Sequence, residues 1–180
     1  MYARVDYGSN VPSASEQIKL AIINATADVG TWSRSGSARS GESLWEFLHH
    51  RGDVLLGAEG KPVIPLLIFD QFQEIFTLAQ TDDTGRAHAA HFMEALAELV
   101  ENRAPPELEA RLEEDDDVAT EFDFARSDYR VLISLREDYL AHLEGLKAAM
   151  PSITQNRMRL APMTGLQALS AVTGQGGRAR

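Results

Sequence analysis

The sequence predicts an α/β fold built on a parallel sheet with helices packed on it, and three observations carry that prediction. Within PVIPLLIFDQFQEIFTLAQ (residues 62–80), residues 63–69 form an almost unbroken apolar run. A run apolar on both alternations cannot be a strand with one wet face, so it reads as a central strand covered on both sides. A second run of the same character, YRVLISL, occupies residues 129–135. Both runs stop at a charged residue, Asp70 and Arg136, and pass at once into helix-compatible sequence. Ligands of open α/β sheets gather beyond the carboxyl ends of such strands, which makes these two positions the first places to look for function.

Composition narrows the possibilities. A chain of 180 residues with 44% hydrophobic content is long enough for one domain with a sizeable core. No stretch reaches 18 uninterrupted apolar residues, and the opening MYARVDYGSN has neither a basic n-region nor an apolar h-region, so the expectation is a soluble, unexported protein without membrane contact. The absence of cysteine excludes a disulfide frame and a thiolate zinc site and suits a cytoplasmic location. A formal net charge of −10, with Lys and Arg scattered, argues against general nucleic-acid binding. A nucleotide site is still allowed, since it needs only a few local cations and backbone N–H groups.

Taken in order, residues 2–6 alternate and end in a turn, which reads as a short strand. Ser13-Ala14-Ser15-Glu16 is a capping box, and Ile18, Ala21, Ile22 and Ala25 follow at helical spacing, giving a helix to about residue 28. Residues 30–41 read as a flexible Ser/Gly loop whose Arg34 and Arg39 would either clamp phosphate or sit on a plain surface connection. The next helix is expected over 42–56, with Leu44, Trp45, Leu48 and Leu55 as its apolar side. The adjacent His49 and His50 point about 100° apart on it and cannot share a metal. Residues 72–78 continue as a short helix, 81–85 as a turn, and 86–102 as a long helix with the stripe Ala89, Phe92, Met93, Leu96, Leu99 and Val100. His88 and His91 stand three apart there, without a third ligand at a recognised spacing. Pro105-Pro106 stops this helix, another short one fits 107–114, and the acidic run 113–117 lacks the calcium-loop pattern. Residues 103–127 are therefore expected to be an acidic, disordered insertion. A helix is expected over 138–150, and residues 174–180 form a flexible tail. No internal repeat with a period of 20 to 50 residues is present.

Four apolar residues followed by Asp is the pattern of the Walker B strand of P-loop NTPases. Mg²⁺ is a hard cation that keeps most of its waters and takes one or two carboxylates beside nucleotide phosphates, so one Asp at the tip of a rigid strand suits it. The plain alternative is Asp70 as a cap for the next helix. The tail Asp70-Gln71-Phe72-Gln73-Glu74 resembles the DQFEE-type Walker B of bacterial STAND ATPases of the novel STAND group, with Gln73 where the first of two acids would stand and Glu74 matching the second. Arg136 in SLREDYL resembles the R-x-D-[FY]-L sensor of the same proteins, a place where a permanently charged planar fork can report a γ-phosphate. Its structural alternative is an ion pair with Asp70, Glu74 or Asp138. Residues 156–160, NRMRL, resemble the last core strand, and Thr164 is an N-cap for a helix over 165–172.

The resemblance implies a three-layer parallel sheet of P-loop NTPase type that is incomplete, because the first strand and the phosphate loop are absent. Residues 2–6 would be the second strand. The only lysine preceded by glycine is Lys61, and Pro62 replaces the Ser or Thr that G-x-x-x-x-G-K-[ST] requires. Gly52 and Gly57 have the loop's spacing, but Ala58 follows. The implied function is that of a partial nucleotide-binding core from an ATP-dependent signal-transduction or defence switch, itself inactive for lack of Walker A. In the roles implied, Asp70 holds Mg²⁺ through water, Glu74 or the Gln73 position orients the attacking water, and Arg136 contacts the γ-phosphate. Mg and ATP would then bind this chain weakly or not at all. The alternative is a non-catalytic interaction module of the same fold, with a homo-oligomer or the missing domains of the parent protein as partners.

Overall fold

The structure, a computed structural model, describes residues 12–27, 32–33, 41–55, 61–62 and 64–174. The expected strand at 2–6, most of the Ser/Gly loop at 30–41, Gly57 of the glycine pair and the tail beyond residue 174 lie outside the described residues. The elements in order are α1 (Ala14–Ala27), β1 (Trp32–Ser33), α2 (Leu44–His49), β2 (Val54–Leu55), β3 (Leu66–Phe69), α3 (Gln73–Leu78), α4 (Asp83–Val100), α5 (Pro106–Glu114), a 3-10 helix (Asp116–Glu121), β4 (Arg130–Ile133), a second 3-10 turn (Glu137–Tyr139), α6 (Leu140–Gly145), α7 (Ser152–Gln155) and α8 (Gly165–Gly174). Mixed helix and strand with one parallel pair is compatible with the α/β class.

That parallel pair, β3 with β4, is what positions everything else. Leu66 to Phe69 run opposite Arg130 to Ile133 in register. On one face Leu67, Phe69, Val131 and Ile133 pack on the main core, whose buried members include Ile18 and Ile22 of α1, Phe47 and Leu48 of α2, Ile75 of α3, Phe92, Leu96 and Leu99 of α4, and Leu143 of α6. Each fully buried side chain of this size contributes about 1.5–3 kcal/mol of transfer free energy, so the helices on this face hold the sheet in place. On the other face Leu66, Ile68 and Leu132 are 50–58% exposed. Among the described residues the sheet thus has one covering layer, where the continuous apolar run anticipates two.

Local chemistry fixes the helix ends. Ser43 and Glu46 form a complete capping box that starts α2 at Leu44. This helix stops at His49, not near residue 56: His50 bridges to Phe122 and the chain then turns into β2. Periodicity alone overran the boundary because Leu55 falls in phase with the helix although its backbone pairs with Trp32 in a strand. Asp82 caps α4, its carboxylate accepting from Gly85 N at 2.6 Å. At the far end Asn102 adopts the left-handed conformation, φ 49°. Arg103 N bonds Glu98 O at 2.9 Å and Asn102 N bonds Leu99 O at 3.4 Å, which is the Schellman closure.

Residues 103–127, acidic enough to suggest a hydrated insertion, contain α5 and the first 3-10 helix. Leu108 and Phe122 are buried with Trp45 in a second apolar cluster. Their charges point outward while one Leu and one Phe anchor the segment. The 138–150 helix is shorter than its apolar pattern suggests, ending at Gly145 before Met150 returns to the core. Residues 157–160 make no strand. Met158 and Leu160 are more than 80% exposed, and Arg157 and Arg159 pair with Glu144 and Glu137. Thr164 caps α8 as expected, its hydroxyl accepting from Gln167 N at 3.3 Å. No described helix is long and apolar enough to cross a membrane.

Candidate functional site at the carboxyl rim of the parallel pair

Because β3 and β4 are parallel and in register, their carboxyl ends emerge side by side. The pairing continues past the last rung: Ser134 N donates to Phe69 O at 2.9 Å and Phe72 N donates to Ser134 O at 2.9 Å. The two loops are therefore stitched to each other, and Asp70 and Arg136 leave from one rim.

Asp70 is exposed at the tip of β3. Its Oδ1 accepts from Gln71 N at 3.0 Å and from the Ser134 hydroxyl. Its Oδ2 carries no hydrogen bond among the described residues. Gln71 holds φ 56°, a left-handed conformation that a non-glycine residue adopts at a cost, and it turns the chain directly into α3. Gln73, in the first turn of α3, accepts from Arg136 N through its carboxamide oxygen at 3.3 Å. Glu74 is exposed one residue further on. The Arg136 guanidinium forks onto Asp138, Nε to Oδ1 at 3.2 Å and Nη2 to Oδ2 at 2.7 Å, with its side chain 69% exposed. Of the three carboxylates that could neutralise it, Asp138 is the one engaged here. An exposed pair of this kind contributes little stability, so exchange of Asp138 for another anion costs little.

The residue that the strand pattern did not single out is Ser134. Its signal was available, a lone serine in YRVLISL two positions before the charge, but its partner Asp70 is 64 residues away in sequence. His88 and His91 are both exposed on α4. No group of three or more His, Cys, Asp or Glu that could hold a metal occurs among the described residues. A divalent site of the all-protein kind is thus not what this rim offers. One carboxylate with an open oxygen beside one hydroxyl is a hard-oxygen donor set of the size Mg²⁺ takes when phosphates and water supply the rest.

Comparison with known proteins gives one finding: a family model described as novel STAND NTPase 1 matches residues 17–179. Searches of curated proteins and of solved structures found no match.

Proposed function

This chain belongs to the novel STAND NTPase 1 family, and we propose that it forms the Walker B and sensor half of a P-loop nucleotide core, part of an ATP-dependent signal-transduction or defence switch. In this reading β3 and β4 are two strands of a three-layer parallel sheet whose first strand and phosphate loop are not in the sequence. The observation that carries it is the in-register parallel pairing that delivers Asp70, Gln73 and Arg136 to one rim.

The rim residues divide the work by chemistry. Ser134 and the Gln71 amide hold Asp70 Oδ1, so this carboxylate would be the one to hold a hydrated Mg²⁺ through its other oxygen. Bound Mg²⁺ with ATP supplies neutralisation of phosphate charge. Glu74, exposed in the first turn of α3, is the candidate to orient a water. Gln73 cannot take a proton; its carboxamide ties the Arg136 backbone to α3 instead. Arg136 would exchange Asp138 for a phosphate oxygen, which would transmit nucleotide occupancy to the 3-10 turn and α6.

The missing G-x-x-x-x-G-K-[ST] limits this chain by itself to weak binding and no turnover, since the loop amides and lysine make most of a phosphate cradle. Calorimetric titration with Mg·ATP tests the reading. The expected result is weak, Mg-dependent heat in the millimolar range that falls at least about threefold in Asp70→Ala, and again in Arg136→Ala. No heat at any accessible concentration would favour the second reading, an interaction module without nucleotide chemistry. The exposed apolar face of Leu66, Ile68 and Leu132 is the observation that supports that alternative.

A further inference from the structure

His49 ends α2 and is fully buried. Its ring stacks on Trp45 with centroids 3.8 Å apart and planes 6° from parallel, and lies edge-on to Tyr129. Nδ1 is 2.7 Å from the Trp45 carbonyl oxygen, which can only accept. Nε2 is 2.9 Å from Asn102 Oδ1. The orientation of that amide is determined independently of the histidine: the Trp45 indole N–H donates to Oδ1 at 3.1 Å, and Nδ2 donates to Phe124 O at 3.0 Å. Turning the amide over would set N–H against N–H at the indole and oxygen against oxygen at Phe124. The third neighbour, the Tyr129 hydroxyl, donates to Leu99 O at 3.0 Å and so turns a lone pair toward Nε2 at 3.4 Å.

Both ring nitrogens thus face acceptors. A neutral imidazole carries one N–H and leaves the other nitrogen lone pair against oxygen; only the doubly protonated ring satisfies the arrangement. We propose that His49 is a proton-operated latch joining α2, the C-terminus of α4 and the start of β4. When charged, it donates to Trp45 O and Asn102 Oδ1. When neutral, it keeps the bond to Trp45 O, and Nε2 accepts from Tyr129, whose hydroxyl leaves Leu99 O. Leu99 O retains the Asn102 backbone N–H at 3.4 Å in either state.

The surroundings oppose the charged state. Burial, first, and the Arg126 guanidinium lower the His49 pKa from its ordinary value, against the hydrogen bonds that raise it. Arg126 approaches from the segment before β4, donating to the Leu48, His50 and Asp53 carbonyls and pairing with Asp128 at 3.7 Å. The residue after α2, His50, is occupied by Glu42 at 3.1 Å. On α4, Glu98 precedes Leu99 and titrates near neutrality itself. Burial keeps the Tyr129 phenol protonated across the whole range, so it remains a donor. The latch is independent of the nucleotide reading.

The test is a pH titration of the 180-residue protein from 8 to 4.5, following the ring ¹⁵N signals of His49 and the Trp45 indole proton by NMR. The ring nitrogens report protonation and tautomer directly, which separates His49 from Glu98. The expected course is a single neutral Nδ1–H tautomer at pH 8 that gains a proton on Nε2 with a midpoint below 6.5, the indole signal moving with the same midpoint. Tyr129→Phe removes the donor to the neutral ring and should raise the midpoint by about 0.5–1 unit, the size one neutral hydrogen bond produces. A ring that stays neutral down to pH 4.5, one protonated on Nε2 alone at pH 8, or a midpoint unmoved in Tyr129→Phe in a folded variant would overturn the latch. Should that variant not fold, the wild-type ¹⁵N titration decides alone.

Discussion

Glu98 is buried on α4. Burial, and then the carboxylates of Glu94 and Glu107, raise its pKa from 4.5 to about 7, with Arg103 opposing. A raised folded-state value means that the native protein holds a proton the unfolded chain has released, so the contribution to stability is complete below about pH 4.5 and is lost as pH rises toward 7. Glu98→Gln should flatten this slope and stabilise the protein at pH 7.5 by on the order of 2 kcal/mol, read from urea midpoints at several pH values. Unchanged midpoints at both ends of the range would show that Glu98 has a normal carboxylate in the folded state. At this scale the sequence was informative where a residue's role follows from its place on an element. Asp70 and Arg136 were legible as charges closing apolar runs. Ser134, Asn102 and the environment of His49 were not, because their partners lie 64 and 53 residues away and only the packed chain brings them together.

Elements with a strong local code were read closely. The α4 stripe and the Thr164 cap sit where spacing and propensity put them, whereas α4 itself starts at Asp83, on an Asp82 cap inside the stretch expected to be a turn. Elements whose limits depend on long-range contacts were misread: α2 is cut short by the bridge from His50 to Phe122, and residues 156–160 pair with no strand among the described residues. The acidic segment shows why charge is a poor guide to order. This helix, nine residues long with Pro106 at its first position, is held by its apolar side, with Leu108 fully buried and Leu112 packed partly buried on the same cluster. Leu108→Ala is expected to cost about 2–4 kcal/mol in chemical denaturation, against less than about 0.5 kcal/mol for Glu109→Ala on the exposed side. Equal, small losses for both would mean that the segment is not part of the cooperative core.

For the molecule as a whole the decisive asymmetry is between the two faces of the parallel pair. Phe69 packs against Phe72 and Phe92, whereas Ile68 is 58% exposed. Phe69→Ala should therefore cost about 3–5 kcal/mol, and Ile68→Thr less than about 1 kcal/mol, in the same denaturant series. A cost for Ile68→Thr comparable with that of Phe69→Ala would show that a second layer covers the sheet in solution, as in the three-layer architecture proposed for the nucleotide core. The α/β class was legible from two apolar runs; the number of layers was not, because a run apolar on both alternations states what a strand needs, not what is there to meet it.

The register of that pair has a further consequence. Side chains alternate along a strand, so sliding β4 by a single rung would turn Val131 and Ile133 to water and Arg130 and Leu132 inward. Small displacements are thereby forbidden, and the spacing between the carboxylate and the guanidinium is quantised: correct, or wrong by a whole 3.3 Å step. Damage to the interior should accordingly leave a shrinking population of molecules with an intact rim, not a uniform population with a slackened one.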